Sequence, residues 1–337
     1  MRRRAAFVVF CSVSVLAFAS ARAGDARADG CSGVMSPCIN DDTLWPHAGP
    51  GIFEAIGSGR TTTGGRVAFG LVTSYLSRPV VLQLVSPGPG TDMNAVNDQV
   101  TGTFLYAYGV TDRLELDVAL PLTFGQGGTG LTPVTGGPGL KDTAVRDLRF
   151  GLAFDVLQMP PEGTAPTRGG VVARFEMSAP TGDEDQFAGE ETAVFLPGVS
   201  TEWHVGEWFV GAEAGLRIRP ITQFLGARVG TQVFAAVGAG YEILPRGLLS
   251  AQLEAWALPT FAEQEAPVHV GNAIAWVPDG ARITPSEWQL SVRSAPLASG
   301  DLSIDVGGGG GIPFSGDLPI TTPRFRFTLG LRWAPTK

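Results

Sequence analysis

The chain closes with PRFRFTLGLRWAPTK (323–337). Phe325, Phe327, Leu329, Leu331 and Trp333 fall on one parity, and Arg324, Arg326, Thr328, Gly330 and Arg332 on the other. Strict alternation of this length reads as a β-strand with two unlike faces. One face is apolar with aromatic residues at both ends, and the other carries three arginines. A soluble sheet would set the first against a core and the second in water. The fold turns on which medium each face meets.

The same alternation recurs along the chain, at 65–75, 100–110, 113–122, 145–157, 170–180, 194–205, 207–219, 228–244, 247–258, 287–297 and 301–311. With the closing segment this gives about twelve strands, an even number. The connections sort by length. Thr111–Asp112, Gly206, Pro245–Arg246 and 298–300 are tight, and 158–169 is moderate. Between them fall longer stretches at 76–99, 123–144, 181–193, 220–227, 259–286 and 312–322. Short turns on one side and long loops on the other mark outer-membrane barrels, whose short turns face the periplasm. Both ends of the strand array fall on the short-turn side.

Parity then assigns the media. One face carries Leu114, Leu116, Val118 and Leu120, then Phe150, Leu152 and Phe154, then Trp208, Val210 and Leu216, then Ile304 and Val306. The other collects charges of both signs: Arg66, Arg113, Arg149, Arg174, Arg217, Arg293, Arg324, Arg326 and Arg332 with Glu115, Asp117, Asp147, Glu176, Glu202, Glu213, Glu254 and Asp305. An interior closed by twelve strands would need bulkier apolar filler than Ala, Gly and Val. The reverse arrangement puts the apolar face against lipid and the charges in the lumen. Tyr75, Tyr108, Trp203, Trp208, Tyr241 and Trp333 lie near strand ends, where interfacial girdles form. The expected fold is all-β: an antiparallel up-and-down transmembrane β-barrel of about 12 strands, with short periplasmic turns and long extracellular loops.

Composition agrees. Charged residues make up only 17 % of 337, with 46 glycines and 25 prolines. Residues 1–23 read as a secretory signal peptide: Arg2 to Arg4, an apolar run, then ARA at 21–23. Removing its four arginines takes the formal charge from −8 to −12, which argues against a nucleic-acid partner. Beyond it no run of about 18 apolar residues indicates a membrane helix. Cys31 and Cys38 follow closely in an oxidising compartment, so a local disulfide is expected between them. Residues 24–64 form an N-terminal segment with little strand pattern, read as periplasmic, with folding back as a plug the alternative. Residues 65–337 form the barrel.

The segments DTLWPHAGP (42–50), YGVTDRLELDVALP (108–121), VRDLRFGL (145–152), SAPTGDEDQFAGE (178–190) and GARVGTQVFAAVGAGYEILPRGLLS (226–250) carry a resemblance. The chain resembles Gram-negative outer-membrane barrels of the transporter type, and is similar to the N-terminal barrels of myxobacterial OmpA-family proteins. Such a protein would continue into a peptidoglycan-binding domain, whereas four residues follow Trp333 here. Peptidoglycan anchoring is therefore not carried over.

No catalytic constellation emerges, so no enzyme is expected. GQGGTG (125–130) matches a dinucleotide fingerprint by letter, but the following LTPVTGGPG cannot supply the helix that the fingerprint needs. His47, His204 and His269 lack metal-ligand spacing. The acids at 183–185 with Glu190 and Glu191 read as a solvated loop before a Ca²⁺ site. No cofactor or metal is expected. The expected partners are outer-membrane lipid and lipopolysaccharide, the barrel-assembly machinery and small hydrophilic solutes. The function expected is a channel or transporter through a charge-lined lumen. The alternatives are a structural barrel closed by salt bridges and, third, an outer-membrane enzyme. Barrel closure should also set the last strand beside the first, making an electropositive ladder of Arg66, Arg324, Arg326 and Arg332.

Overall fold

The computed structural model describes residues 35–84, 91–136, 139–160, 166–224, 226–270, 273–295, 301–314 and 318–335. The signal segment and Cys31 lie outside them; Cys38 is disulfide-bonded. Twelve strands wind in chain order: β1 (Val67–Leu84), β2 (Thr91–Gly109), β3 (Leu114–Gly127), β4 (Arg149–Leu157), β5 (Thr167–Ser178), β6 (Val194–Val205), β7 (Trp208–Arg217), β8 (Gln232–Leu244), β9 (Leu249–Ala257), β10 (Ser286–Ser294), β11 (Leu302–Gly311) and β12 (Phe325–Trp333). Each pairs antiparallel with its sequence neighbours. β1 closes on β12 in a register running from Phe69↔Trp333 to Ser77↔Phe325. The barrel sheet leaves no edge open, as hydrocarbon requires of any spanning sheet.

The outer face is apolar and the inner face buried. Phe325, Phe327, Leu329, Leu331 and Trp333 are each 37–46 % exposed, while Arg326 and Thr328 between them are fully buried. A soluble protein does not leave a continuous apolar belt uncovered. A transmembrane barrel presents such a belt to lipid. Aromatic residues ring the short-turn end: Trp208 meets Tyr241 at 5.0 Å, and Phe69 meets Tyr106 at 5.2 Å and Trp333 at 5.9 Å.

Several elements differ from the sequence expectation; the stretch 259–286, expected as a loop, carries a hairpin of Glu265–Val270 and Ala273–Pro278. The stretch 76–99, expected as a loop, is mostly strand, since β1 and β2 reach Leu84 and Thr91. Pro79 and a register shift between Ser77 and Val80 break the period there and hide the strands from a pattern search. Conversely, the strand expected from 145 starts at Arg149, and only Ala144–Val145 pair with β3 ahead of it. Arg146 and Asp147 are consecutive yet both buried, an arrangement that strand alternation forbids.

Residues 35–64, read as periplasmic with a folded-back plug as the alternative, run down the inside of the barrel. Ser36 N–H donates to Gln223 O, and Thr222 Oγ1 to Cys38 O, among the long loops. At the other end Gly64 N–H donates to Asp112 in the β2–β3 turn. The segment crosses the whole lumen before β1 begins, because the wall offers a continuous ladder of charged partners that water alone would otherwise have to solvate. At the long-loop mouth Ile39 sits in an apolar cap with Val80, Leu82, Met93, Phe187, Phe224 and Ile320.

Candidate functional site

The site is the lumen with its plug. From the long-loop mouth inward, Asp41 pairs with Arg146 Nη2 at 2.7 Å, and Arg146 also bonds Asn40. Asp42 pairs with Arg326 Nη1 at 2.9 Å. On its other side Arg326 grips Glu287 of β10 bidentately, at 2.8 and 3.1 Å, and Thr43 Oγ1 donates to the same carboxylate. Arg217 donates to Thr43 O at 2.8 Å and lies over the Trp45 ring at 4.3 Å, with Arg149 on that ring at 5.0 Å.

His47 stands at the middle of the plug. Its Nδ1 lies 2.5 Å from Glu176 of β5 and its Nε2 3.1 Å from Glu213 of β7. Both partners are carboxylates, an arrangement that favours the doubly protonated imidazole, which can donate from each nitrogen. Arg149 reaches the same Glu176 at 3.5 Å.

Below His47 the plug swings to the opposite wall. Arg332 donates to the carbonyls of His47 and Phe53 at 3.1 and 3.3 Å and pairs with Glu54 at 3.0 Å. Glu254 accepts the Glu54 and Ala55 amides. Phe53 and Ile56 press against Gly211 and Gly238. A Cβ at either glycine would come within 2.7 Å of the Phe53 ring, so bare backbone is required there. Arg174 and Ser200 then donate to Ser58 O, Glu202 accepts from Gly59 N–H, Asp155 from Thr61 and Glu115 from Thr62 N–H. Successive wall carboxylates thus take up plug amides that belong to no secondary structure.

The sequence-predicted residues sort into three groups. Glu115, Asp117, Arg149, Arg174, Glu176, Glu202, Glu213, Arg217, Glu254, Asp305, Arg326 and Arg332 are buried on the inner face, with Arg293 half-buried beside Ser303. Asp147 is buried in the loop ahead of β4, where it accepts the amides of Thr181, Gly182 and Glu190. Arg66, Arg113 and Arg324 are exposed at the strand ends and line nothing. The expected arginine ladder therefore does not form. Arg66 and Arg324 lie at opposite mouths, while Arg326 and Arg332 are neutralised by Asp42, Glu287 and Glu54.

Sequence reasoning missed the inner partners Asp41, Asp42, His47, Glu54, Arg146 and Glu287. Glu287 shares Arg293's parity and was there to be read. The plug residues had no period to betray them. At the long-loop end Glu190, from the acidic stretch 183–191, pairs with Arg219 at 2.7 Å. Burial pushes the Glu190 and Asp147 carboxyls up from their ordinary range.

The cavities are small. One is lined by Trp45, His47, Arg174, Glu176, Pro197 and Arg217, another by Asn40, Asp42, Trp45, Thr101 and Arg149. No cluster of metal-ligating side chains occurs among the described residues.

No protein-family model matches the chain, and no curated protein does. Solved structures do. The COG4313 outer membrane channel from Pseudomonas putida F1 aligns over 84 % of this chain and 98 % of its own, at 16 % identity and a TM-score of 0.56. The NanC porin aligns over 80 % and 100 % at 6 % identity and 0.43, and a Pseudomonas aeruginosa FadL homologue over 91 % and 100 % at 10 % identity and 0.40. At such identities the likeness to the first is one of fold. With the apolar belt, the closed sheet and the short-turn, long-loop asymmetry already described, the chain is a twelve-stranded transmembrane barrel of the outer-membrane kind.

Proposed function

We propose that this protein is an outer-membrane channel or transporter for small hydrophilic solutes, closed at rest by its own residues 35–64. One observation supports the reading: from Asp41 to Thr62 the plug is tied to the wall by a series of hydrogen bonds and ion pairs, with Leu44, Phe53, Ala55 and Ile56 packed against Phe209, Ala236, Trp256 and Leu258. Hydrogen bonds net only about 0.5–1.5 kcal/mol each, or about 1.5–3 kcal/mol to a charged group, because water replaces them. The polar ties can be exchanged for water one at a time as the segment leaves its seat. The path it vacates is lined by charges and amides and suits water-soluble cargo. The partners this reading implies are lipopolysaccharide in the outer leaflet and the barrel-assembly machinery. Kinship with OmpA-family barrels rests on the segments quoted above and is part of the same proposal.

A structural role is the second reading, favoured by the apolar cap that closes the long-loop mouth over Ile39. An enzyme lacks an observation in its favour. His47 and the Nε2 of His204 are engaged by carboxylates, the latter with Glu202 at 2.8 Å. Planar-bilayer recording of the refolded protein separates the first two readings. Discrete current steps support the channel. No current from the wild type or from a plug-loosened variant would remove the channel and leave the structural barrel.

A further inference from the structure

The grip on the plug is uneven, and the gap in it falls on one patch of wall. On β9, β10 and β12 the side chains of Gln252, Gln289, Ser291 and Thr328 are 0–2 % exposed. Both amide atoms of each glutamine and both hydroxyl oxygens lack a hydrogen-bond partner. The four are contiguous. Gln252 pairs in register with Ser291, Ser291 with Gly307, and Gly307 with Thr328, while Gln289 faces Gly309. A Cβ placed on Gly307 would lie 2.6 Å from Gln289 Nε2 and 2.8 Å from Thr328 Oγ1, so the polar tips converge over that bare glycine.

The plug brackets this patch without bonding to it. Asp42 and Thr43 hold Arg326 and Glu287 on the long-loop side. Glu54 and Ala55 hold Arg332 and Glu254 on the other. Between them the plug crosses to the far wall, where Trp45 meets Arg149 and Arg217, and His47 meets Glu176 and Glu213. Buried polar groups are almost always paired, and four adjacent ones left idle point to a partner that arrives from elsewhere.

We infer that Gln252, Gln289, Ser291 and Thr328 form a subsite for a neutral, hydroxyl-rich solute of the sugar or polyol class, which occupies this wall when the plug shifts. The inference rests on the channel reading and names its cargo. Amides and hydroxyls each donate and accept, which matches vicinal hydroxyls. A phosphate or carboxylate would want a free cation; the nearby Arg326 and Arg332 are already paired, and Arg293, two residues beyond Ser291, donates to Ser303 and stands in register with Asp305. An ammonium would want a free carboxylate; Glu254 and Glu287 are taken by plug amides and Arg326, and Asp305, two residues before Gly307, stands in register with Arg293.

The test is titration calorimetry of the full-length protein in detergent, with sucrose as the neutral probe and glucose 6-phosphate as the anionic one. Wild type is compared with Gln252→Leu and Gln289→Leu. Replacing an unpartnered buried amide by an apolar group of similar shape is neutral or stabilising, so both variants should fold. The expected result is sucrose binding by the wild type, weakened at least tenfold in each variant, and no measurable binding of the phosphate. Absent sucrose binding in the wild type, equal affinity in the variants, or preference for the phosphate would overturn the subsite. Sucrose binding with the expected variant pattern but no ion current would remove the channel reading and leave the subsite standing.

Discussion

Arg326 ties the plug to the wall, and Arg326→Ala tests that tie most directly. Its guanidinium is fully buried, bonds Glu287 through two nitrogens and meets Asp42 at 2.9 Å. Truncating it leaves two buried carboxylates without their cation. Breaking a buried pair by removing one partner costs roughly 3–5 kcal/mol. Glu287 belongs to β10 and Asp42 to the plug, so withdrawal of the plug opens both to water and relieves the cost. The penalty therefore falls on plug docking. At about 1.36 kcal/mol per tenfold, the closed-to-open ratio should drop by roughly two to three and a half orders of magnitude. Single-channel recording should show a large rise in open probability. Asp42→Asn in the same background should add little, since the two share one interaction. If Arg326→Ala keeps the wild-type current and urea-unfolding midpoint, the ion pair does not hold the plug and the gating argument fails.

Further tests address other parts of the argument. Leu116 is 48 % exposed on the outer face; Leu116→Arg places a charge against lipid at a cost of roughly 2–4 kcal/mol near the midplane. Its folded, heat-modifiable band on a gel should weaken, while Glu115→Gln, one residue away on the inner face, should insert normally. His47→Gln removes the cation shared by Glu176 and Glu213 and should raise open probability, a change that His47→Lys partly reverses; equal currents in all three proteins would remove the bridge from the gate. An epitope inserted after Gly280 should be labelled on intact cells and one after Gly206 should not, and the opposite pattern would invert the barrel. Glu190 and Asp147 have carboxyl pKa values raised by folding. The folded state thus binds more protons than the unfolded one between the ordinary carboxylate pKa and the raised values, and stability contributed by these groups is lost as pH rises through that window. Hydrogen exchange at Thr181, Gly182 and Glu190 should slow when the pH-corrected comparison is made at the acidic end of the window, and unchanged protection factors would contradict the assignment.

Strand parity was legible because it is local: one residue in two faces lipid, and Leu116 beside Glu115 declares both media at once. Loop sorting was legible for the same reason. What stayed hidden depends on partners far away in the chain. Asp42 meets Arg326 and Glu54 meets Arg332, and nothing in DTLWPHAGP records which distant strand will receive it. The balance of charges on the inner face hinted at pairing across the lumen, yet much of the pairing runs through a third body, the plug. Arg146 was missed because it lies where the chain leaves strand geometry, so its parity carried no meaning. Arg66, Arg113 and Arg324 were misassigned for a related reason: alternation continued on paper past the point where the strand stops.

The plug lies upstream of β1, and β1 is joined edge to edge with β12. Those two strands are the most widely separated neighbours in the sheet, with Phe69 opposite Trp333. The upstream segment has no complete ring to lie in until this seam zips. Its seat, moreover, is completed by Arg326 and Arg332 of the final strand. The last strand to be delivered therefore finishes two structures in one stroke, the wall and the lock on its interior, and these long-range pairings place both at the slow end of assembly.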